Sequence, residues 1–189
     1  MSIRTSYIIN QNTEAMVGEY QHNGEEMTRV IEGKEMFLVN ETPFAILNNT
    51  FIHLGFDLEG ALKGAKTVLG GKYMVPVCIN AELGMVWFSS NSFRKSGGIW
   101  LAYKHIHKLS PISKKETMVI TSNGHRIPVP MSLNHIDLKK NQSAFLHTTF
   151  VARWEGIKKF LYEPESGFTL CKEPGDLNYR VREKEEKKE

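Results

Sequence analysis

Val77-Cys-Ile-Asn-Ala-Glu-Leu-Gly-Met-Val-Trp-Phe88 decides the fold. Val77–Ile79 and Met85–Phe88 are short runs of β-branched, aromatic and other apolar residues, the composition of strands. The turn between them, Ala81-Glu82-Leu83-Gly84 after Asn80, ends in a glycine suited to a tight reversal, so the segment reads as a hairpin with a four-residue loop. The chain on either side repeats this theme of short strands and turn signals, interrupted by three segments of helical period.

Before the hairpin, the first forty residues alternate short runs (Tyr7-Ile8-Ile9, Met16-Val17, Arg29-Val30-Ile31, Met36–Val39) with turn signals at Asn10, His22-Asn23-Gly24 and Gly33-Lys34, which predicts a β-meander. The period then changes. Thr42-Pro43 offers an N-cap followed by proline at the first helical position, and Phe44, Leu47, Phe51 and Leu54 recur at helical spacing over 43–54. Asp57 caps a second helix in which Leu58, Leu62, Ala65 and Leu69 share a face until Gly70-Gly71 stops it. Lys63 and Lys66 fall on the opposite, wet face.

After the hairpin, residues 89–98 (Ser-Ser-Asn-Ser-Phe-Arg-Lys-Ser-Gly-Gly) read as an exposed loop with two adjacent cations, and 99–106 as a strand. Residues 117–122, Asn123-Gly124 and 125–129 make a second hairpin, because Asn-Gly suits the positive φ angles of a type I′ turn, and Pro128 and Pro130 place its second arm at a sheet edge. With Ser132 as cap, Leu133, Ile136, Lys140, Ser143 or Ala144, Leu146, Phe150 and Trp154 outline a longer helix to about 155, which leaves Lys139, His147 and Arg153 outside. The expected class is α+β: an antiparallel meander and hairpins packed with two or three helices in one compact domain. A charged tail from about residue 180 has almost nothing to bury and is expected to be disordered.

Charge is segregated along the chain. Residues 1–59 carry three basic and nine acidic side chains, a net of −6; residues 60–160 carry fifteen and four, a net of +11; residues 161–189 carry six and eight. The overall +3 therefore conceals a basic middle between acidic ends. Such a stretch sets up a field of several kT and is the footprint of a surface that meets a polyanion, with nucleic acid first. Two alternatives stay open: the acidic N-terminal part neutralises the basic part within the fold, or the chain is a protein-interaction module that binds no DNA.

Chemistry is sparse. Gly60-Ala-Leu-Lys-Gly64-Ala-Lys66-Thr67 lacks the phosphate-loop spacing and reads as helix. His105 and His107 alternate on one strand face without a third ligand at defined spacing, so no metal is expected. No nucleophile elbow or cysteine motif occurs, Cys78 sits in an apolar strand, and the basic region holds only Glu82, Glu116, Asp137 and Glu155 as carboxylates. The expectation is no enzyme, no cofactor and no small-molecule substrate. Two cysteines, no apolar run of eighteen residues and no export signal predict a cytoplasmic protein without a membrane partner. The candidate nucleic-acid contacts are Arg94 and Lys95, able to reach phosphates or thread a narrow groove, the helix cations Lys63, Lys66 and Lys72, and Lys104. A helix-turn-helix built from 43–54 and 57–69, reading the major groove, is the variant within that class.

Several segments, taken in order, resemble the competence transcription factor family, ComK, of low-GC Gram-positive bacteria. They are Thr42-Pro43 with Ile46-Leu47; Gly55 and Gly60; Pro76-Val-Cys-Ile-Asn80; Gly84-Met-Val-Trp-Phe88-Ser-Ser-Asn-Ser92; Trp100-Leu101 with His105-Ile106; Ser122-Asn123-Gly124; and Asn141-Gln142. The resemblance implies a DNA-binding domain over 1–159 with a C-terminal extension over 160–189. It also implies an activator that binds A/T-rich boxes through the minor groove, as a homodimer or a dimer of dimers, near the nucleoid, and switches on DNA-uptake genes. RNA polymerase and a proteolytic adaptor are the protein partners it suggests, the latter through a segment similar to Phe160-Leu161-Tyr162-Glu163-Pro164. Relatives tend to show Gly-Arg where this chain has Gly60-Ala61, which shifts weight onto Lys63 and Lys66. They tend to show Phe-Pro-Thr-x-Ser where it has Phe88-Ser-Ser-Asn-Ser92, and a cysteine where it has Gly98.

Overall fold

The computed structural model describes residues 3–71, 73–92, 96–158, 162–164 and 166–182 of the chain. Residues Met1–Trp154 form one compact α+β unit, and Glu155–Glu189 a second, smaller one.

A seven-stranded sheet in the order β1-β4-β3-β2-β7-β6-β5 is the centre of the first unit. The meander expected near the N-terminus is β2 (Thr13–Tyr20), β3 (Glu26–Glu32) and β4 (Glu35–Val39), with β1 (Ile3–Arg4) added in parallel at its edge. Tyr7-Ile8-Ile9, however, is not a strand. Tyr7 and Ile9 are buried from irregular backbone, whose N–H at Ile9 donates to Thr50 Oγ1 at 3.1 Å instead of to a sheet neighbour. The 77–88 hairpin forms as read, β5 (Val77–Asn80) with β6 (Met85–Ser89), and β7 (Ile99–Ala102) closes the gap between β6 and β2.

Both faces of this sheet are covered. Met16, Val30, Phe37, Val39, Val77, Ile79, Trp87 and Trp100 pack with α1 (Pro43–His53) through Ile46, Leu47 and Phe51, and with Leu58 of α2 (Leu58–Val68). The alternate residues Ala15, Ile31, Phe88, Ile99 and Leu101 face a three-stranded sheet, and Cys78 and Val86 face Leu146 of α3 (Leu133–Ile157). Two-sided burial explains why Met85–Phe88 of β6 and all of β7 are apolar runs with no polar alternation. Trp87 is 1% exposed, and its truncation to alanine would cost about 3–5 kcal/mol.

The helix starts follow local chemistry. Thr42 Oγ1 accepts from Ala45 N at 3.1 Å with Pro43 at the first helical position, and Asp57 Oδ2 accepts from Gly60 N at 2.7 Å. Gly70 and Gly71, with φ of 72° and 73°, end α2 in backbone that side chains resist.

The strand expected over 99–106 is broken. After β7 the chain makes a 3-10 turn (Tyr103–His105) and enters β8 (Ile106–Ser113), which starts the second sheet, order β10-β9-β8. His105 and His107 therefore do not share one strand face. The second hairpin, β9 (Glu116–Thr121) and β10 (Arg126–Val129), has its edge arm on the proline side as read. Its turn is not type I′: Gly124 alone takes positive φ, at 83°, and Gly124 N donates to Thr121 O, within a three-residue loop closed by Thr121 N to His125 O. The N–H of Ser122 is taken by the His105 carbonyl at 2.9 Å, which extends the β8–β9 ladder by one rung into the 3-10 turn.

On α3, Ile136, Ser143 and Leu146 are buried, but Trp154 is exposed, and Lys139 and His147 turn inward. Lys139 Nζ donates to the Met74 carbonyl, and burial lowers its pKa. His147 Nε2 lies 2.9 Å from Ala81 O and therefore carries the proton, so Nδ1 accepts from the Tyr103 hydroxyl. Tertiary acceptors at Met74 and Ala81 overrule the helical wheel at these two positions. In the second unit, β11 (Thr169–Cys171) pairs with β12 (Arg180–Arg182), so 180–182 is ordered strand where a tail was expected; residues 183–189 lie outside the described residues.

Candidate nucleic-acid interface

Of the six sequence candidates, three are described. Lys63 and Lys66 both stand on the solvent side of α2, whose other side buries Leu58 and Ala65. Lys63 Nζ lies 3.3 Å from Glu59 one turn earlier, but both side chains are about three-quarters exposed, and a pair of that kind holds little. Lys104 sits in the 3-10 turn and lays its stem across Gly84, with Nζ 3.4 Å from Leu83 O, so it belongs to the β5–β6 turn and not to α2. Lys72, Arg94 and Lys95 lie outside the described residues, as do Phe160 and Leu161 of the C-terminal segment; Tyr162 and Pro164 are exposed.

The described residues on either side of 93–95 are firmly held. Ser90 N donates to Ile99 O at 2.8 Å, Ile99 N to Ser90 Oγ at 3.0 Å and Asn91 N to Ser89 Oγ at 3.3 Å. Across the sheet, Gly18 N donates to Gly98 O at 3.0 Å and Gly97 N to Glu26 Oε1 at 2.7 Å. Expected to be exposed throughout, the segment instead buries Ser89 and Gly98, because these bonds continue the β6–β7 ladder into the loop.

A group of cations that the sequence reading missed lies on the second sheet. Lys108 of β8 and Arg126 of β10 are both paired with Ile120 of β9, so they flank it in one row on one face. Lys114 and Lys115 form the turn between β8 and β9, and all four cations are exposed. The signal was partly present: Lys114-Lys115 separates two segments of partial alternation. Pro111 and the polar content of 107–116 concealed the strand.

Two carboxylates of the acidic N-terminal sheet make their ion pairs away from this region. Glu35 lies 3.8 Å from Arg4, and Glu19 binds Arg29 through Nε and through Nη2 at 2.7 Å, so these carboxylates pair within their own segment. Among the described residues, no lysine or arginine between 66 and 153 forms an ion pair with a glutamate of the first 41. The basic half meets the acidic half at a histidine, where His105 Nδ1 stands 3.7 Å from Glu14. Among the described residues, no three His, Cys, Asp or Glu side chains gather as a metal site, and no helix is long and apolar enough to cross a membrane.

The arrangement is one of exposed cations carried on a helix face, a turn and a small sheet. Residues 4–155 match the family described as ComK protein. The chain is similar to the competence transcription factor of Bacillus subtilis (strain 168), 24% identical over 148 residues that cover 78% of this chain and 77% of that protein. No solved structure matches it. With a match running from β1 through both sheets into the last turns of α3, the chain belongs to the ComK family.

Proposed function

We propose that this protein is a DNA-binding transcriptional activator, not an enzyme, that recognises A/T-rich boxes through the minor groove and switches on competence genes. Family membership and a relative named as a competence transcription factor support the role. The observation that carries the DNA reading is the charge partition: Glu35 and Glu19 pair with Arg4 and Arg29, while Lys66, Lys108, Lys114, Lys115 and Arg126 of the middle of the chain are exposed. Lys63, Lys66, Lys72, Arg94, Lys95 and Lys104 remain the proposed contacts. Arginine is favoured in the narrow, strongly negative minor groove of A/T-rich DNA. The protein acts at the nucleoid as a dimer or a dimer of dimers, since paired boxes reward a two-fold symmetric reader. Tyr162 and Pro164, both exposed, fit an adaptor-recognised segment together with Phe160 and Leu161.

Titration of a labelled A/T-rich duplex at 50 and 200 mM salt tests the reading. Neutralising about 6 to 10 phosphates costs roughly 10³ to 10⁵ in affinity across that interval. Equal affinity at both salts overturns it. Displacement by a netropsin-like competitor is expected for the minor-groove mode, and its absence would move the protein to the major groove.

A further inference from the structure

The second sheet presents one face to the protein core and one to solvent. Val119 and Ile127, with Leu109 beside them in the same row, point inward; Lys108, Ile120 and Arg126 form the next row, pointing out, and Ser110, Met118 and Pro128 the row beyond. Adjacent strands stand about 4.8 Å apart, which puts the backbones of Lys108 and Arg126 about 10 Å from each other. Lys114 and Lys115 are six and seven residues along from Lys108, about 20 Å at some 3.3 Å per residue. Cations therefore bracket a face whose middle holds only a serine, a proline, Met118 and Ile120. The sheet's single carboxylate, Glu116, is at the far end and half-buried.

We infer that this outer face, with the Lys114-Lys115 turn at its tip, is a second duplex-contacting surface that grips backbone phosphates independently of sequence. The inference rests on the DNA reading above. A duplex carries one negative charge per roughly 1.7 Å of axis, so a face about 20 Å long meets several phosphates at once. Apart from the half-buried Glu116 beside the tip, the side chains that stand between the cations are uncharged, so the face meets a rigid polyanion with four cations, Lys108, Lys114, Lys115 and Arg126, against one carboxylate. An acidic protein surface is the other polyanion in reach, above all the N-terminal sheet of a second copy. That sheet is the poorer match, because Glu19 and Glu35 already hold Arg29 and Arg4.

The test replaces Lys108, Lys114, Lys115 and Arg126 with alanine together in the full chain and titrates A/T-rich and G/C-rich duplexes of equal length over a salt series. Each phosphate contact contributes about 0.9 to the slope of log K against log salt, so the slope should fall by up to about 3.6. Affinity should fall by a similar factor on both duplexes while circular dichroism and melting temperature stay at wild-type values. A variant carrying Lys108→Arg, Lys114→Arg, Lys115→Arg and Arg126→Lys should keep the wild-type slope. An unchanged slope in the alanine variant, with wild-type protein binding normally, overturns this surface and leaves the DNA reading standing. So does loss of self-association with duplex affinity intact, which would assign the face to a second copy. Failure of the wild-type chain to bind either duplex overturns both.

Discussion

The carboxylate of Glu14, on β2 of the large sheet, is fully buried 3.7 Å from Nδ1 of His105, in the turn that leads to the small sheet. His105 Nε2 donates to Gln11 O at 2.8 Å, and Asn123 Nδ2 of the second hairpin donates to Glu14 Oε1. Among the described residues, Glu14 Oε2 and His105 Nδ1 have no hydrogen-bond partner, and the charged group nearest the ring is Glu14 Oε1. The cluster ties the two sheets together through one buried group. Glu14→Ala should destabilise the protein by about 1–3 kcal/mol, the cost of stranding buried polar partners. Denaturant unfolding of Glu14→Ala, His105→Ala and the double variant measures the coupling, expected at about 0.5–3 kcal/mol; additive losses would show that the two side chains do not interact.

A second polar cluster lies at the start of the chain. The Tyr7 hydroxyl is 2.6 Å from Thr13 Oγ1 and donates to Glu32 Oε2 at 2.8 Å, while Asn10 Nδ2 donates to Glu32 Oε1 at 3.1 Å. Burial pushes the Tyr7 pKa up, a shift the Thr13 hydrogen bond partly opposes and Glu32 reinforces. Tyr7 thus holds its proton more tightly folded than unfolded. The stability it carries is complete below about pH 10 and is lost as pH rises toward the folded value. Tyr7→Phe should cost about 1 kcal/mol at pH 7 and should flatten the alkaline decline above pH 10 in melting curves. An identical alkaline slope in both proteins would count against it.

Cys78 sits between Val86 and Leu146 in the core, and burial pushes its thiol up to about 12. Cys171, on β11 of the smaller unit, is half-buried and free. The thiolate is the reacting species, so native protein at pH 8 should take one iodoacetamide, on Cys171, and two after unfolding. Mass spectrometry of the digested protein reads this directly, and rapid native labelling of Cys78 would contradict the packing of β5 against α3.

What the sequence discloses and what it withholds divide along the range of the interactions. Thr42-Pro43, Asp57 and Gly70-Gly71 act within four residues, so both early helices are readable to within a residue or two. The Val77–Phe88 hairpin is equally local. By contrast, Tyr7-Ile8-Ile9 has strand composition, but the Thr50 hydroxyl 41 residues away takes its backbone. His147 and Lys139 have partners 66 and 65 residues distant, which no helical wheel registers. The same holds for the candidate interface. Segregated charge is visible in composition, whereas the row Lys108-Ile120-Arg126 exists only through the register of three strands.

The stem of loop 89–98 offers a test in which position and charge predict opposite signs. Glu26 Oε1 accepts the Gly97 N–H at 2.7 Å, and a β-carbon on Gly18 would collide with that same oxygen and come within 3.1 Å of Gly97 Cα. If Glu26 acts on DNA only through its charge, Glu26→Ala removes a repulsion and tightens duplex binding. If it acts by holding the described ends of the 89–98 segment, Glu26→Ala weakens binding by about tenfold, equivalent to one charge-assisted hydrogen bond near 1.5 kcal/mol. The stem geometry favours weakening. Glu26→Gln keeps an acceptor and drops the charge, so it should bind at least as well as wild type. Gly18→Ala should weaken binding as Glu26→Ala does and also lower stability by about 1–3 kcal/mol, because the crowded backbone of Gly97 must shift. Fluorescence anisotropy on an A/T-rich duplex separates the two accounts, and tighter binding by Glu26→Ala would eliminate the positioning role.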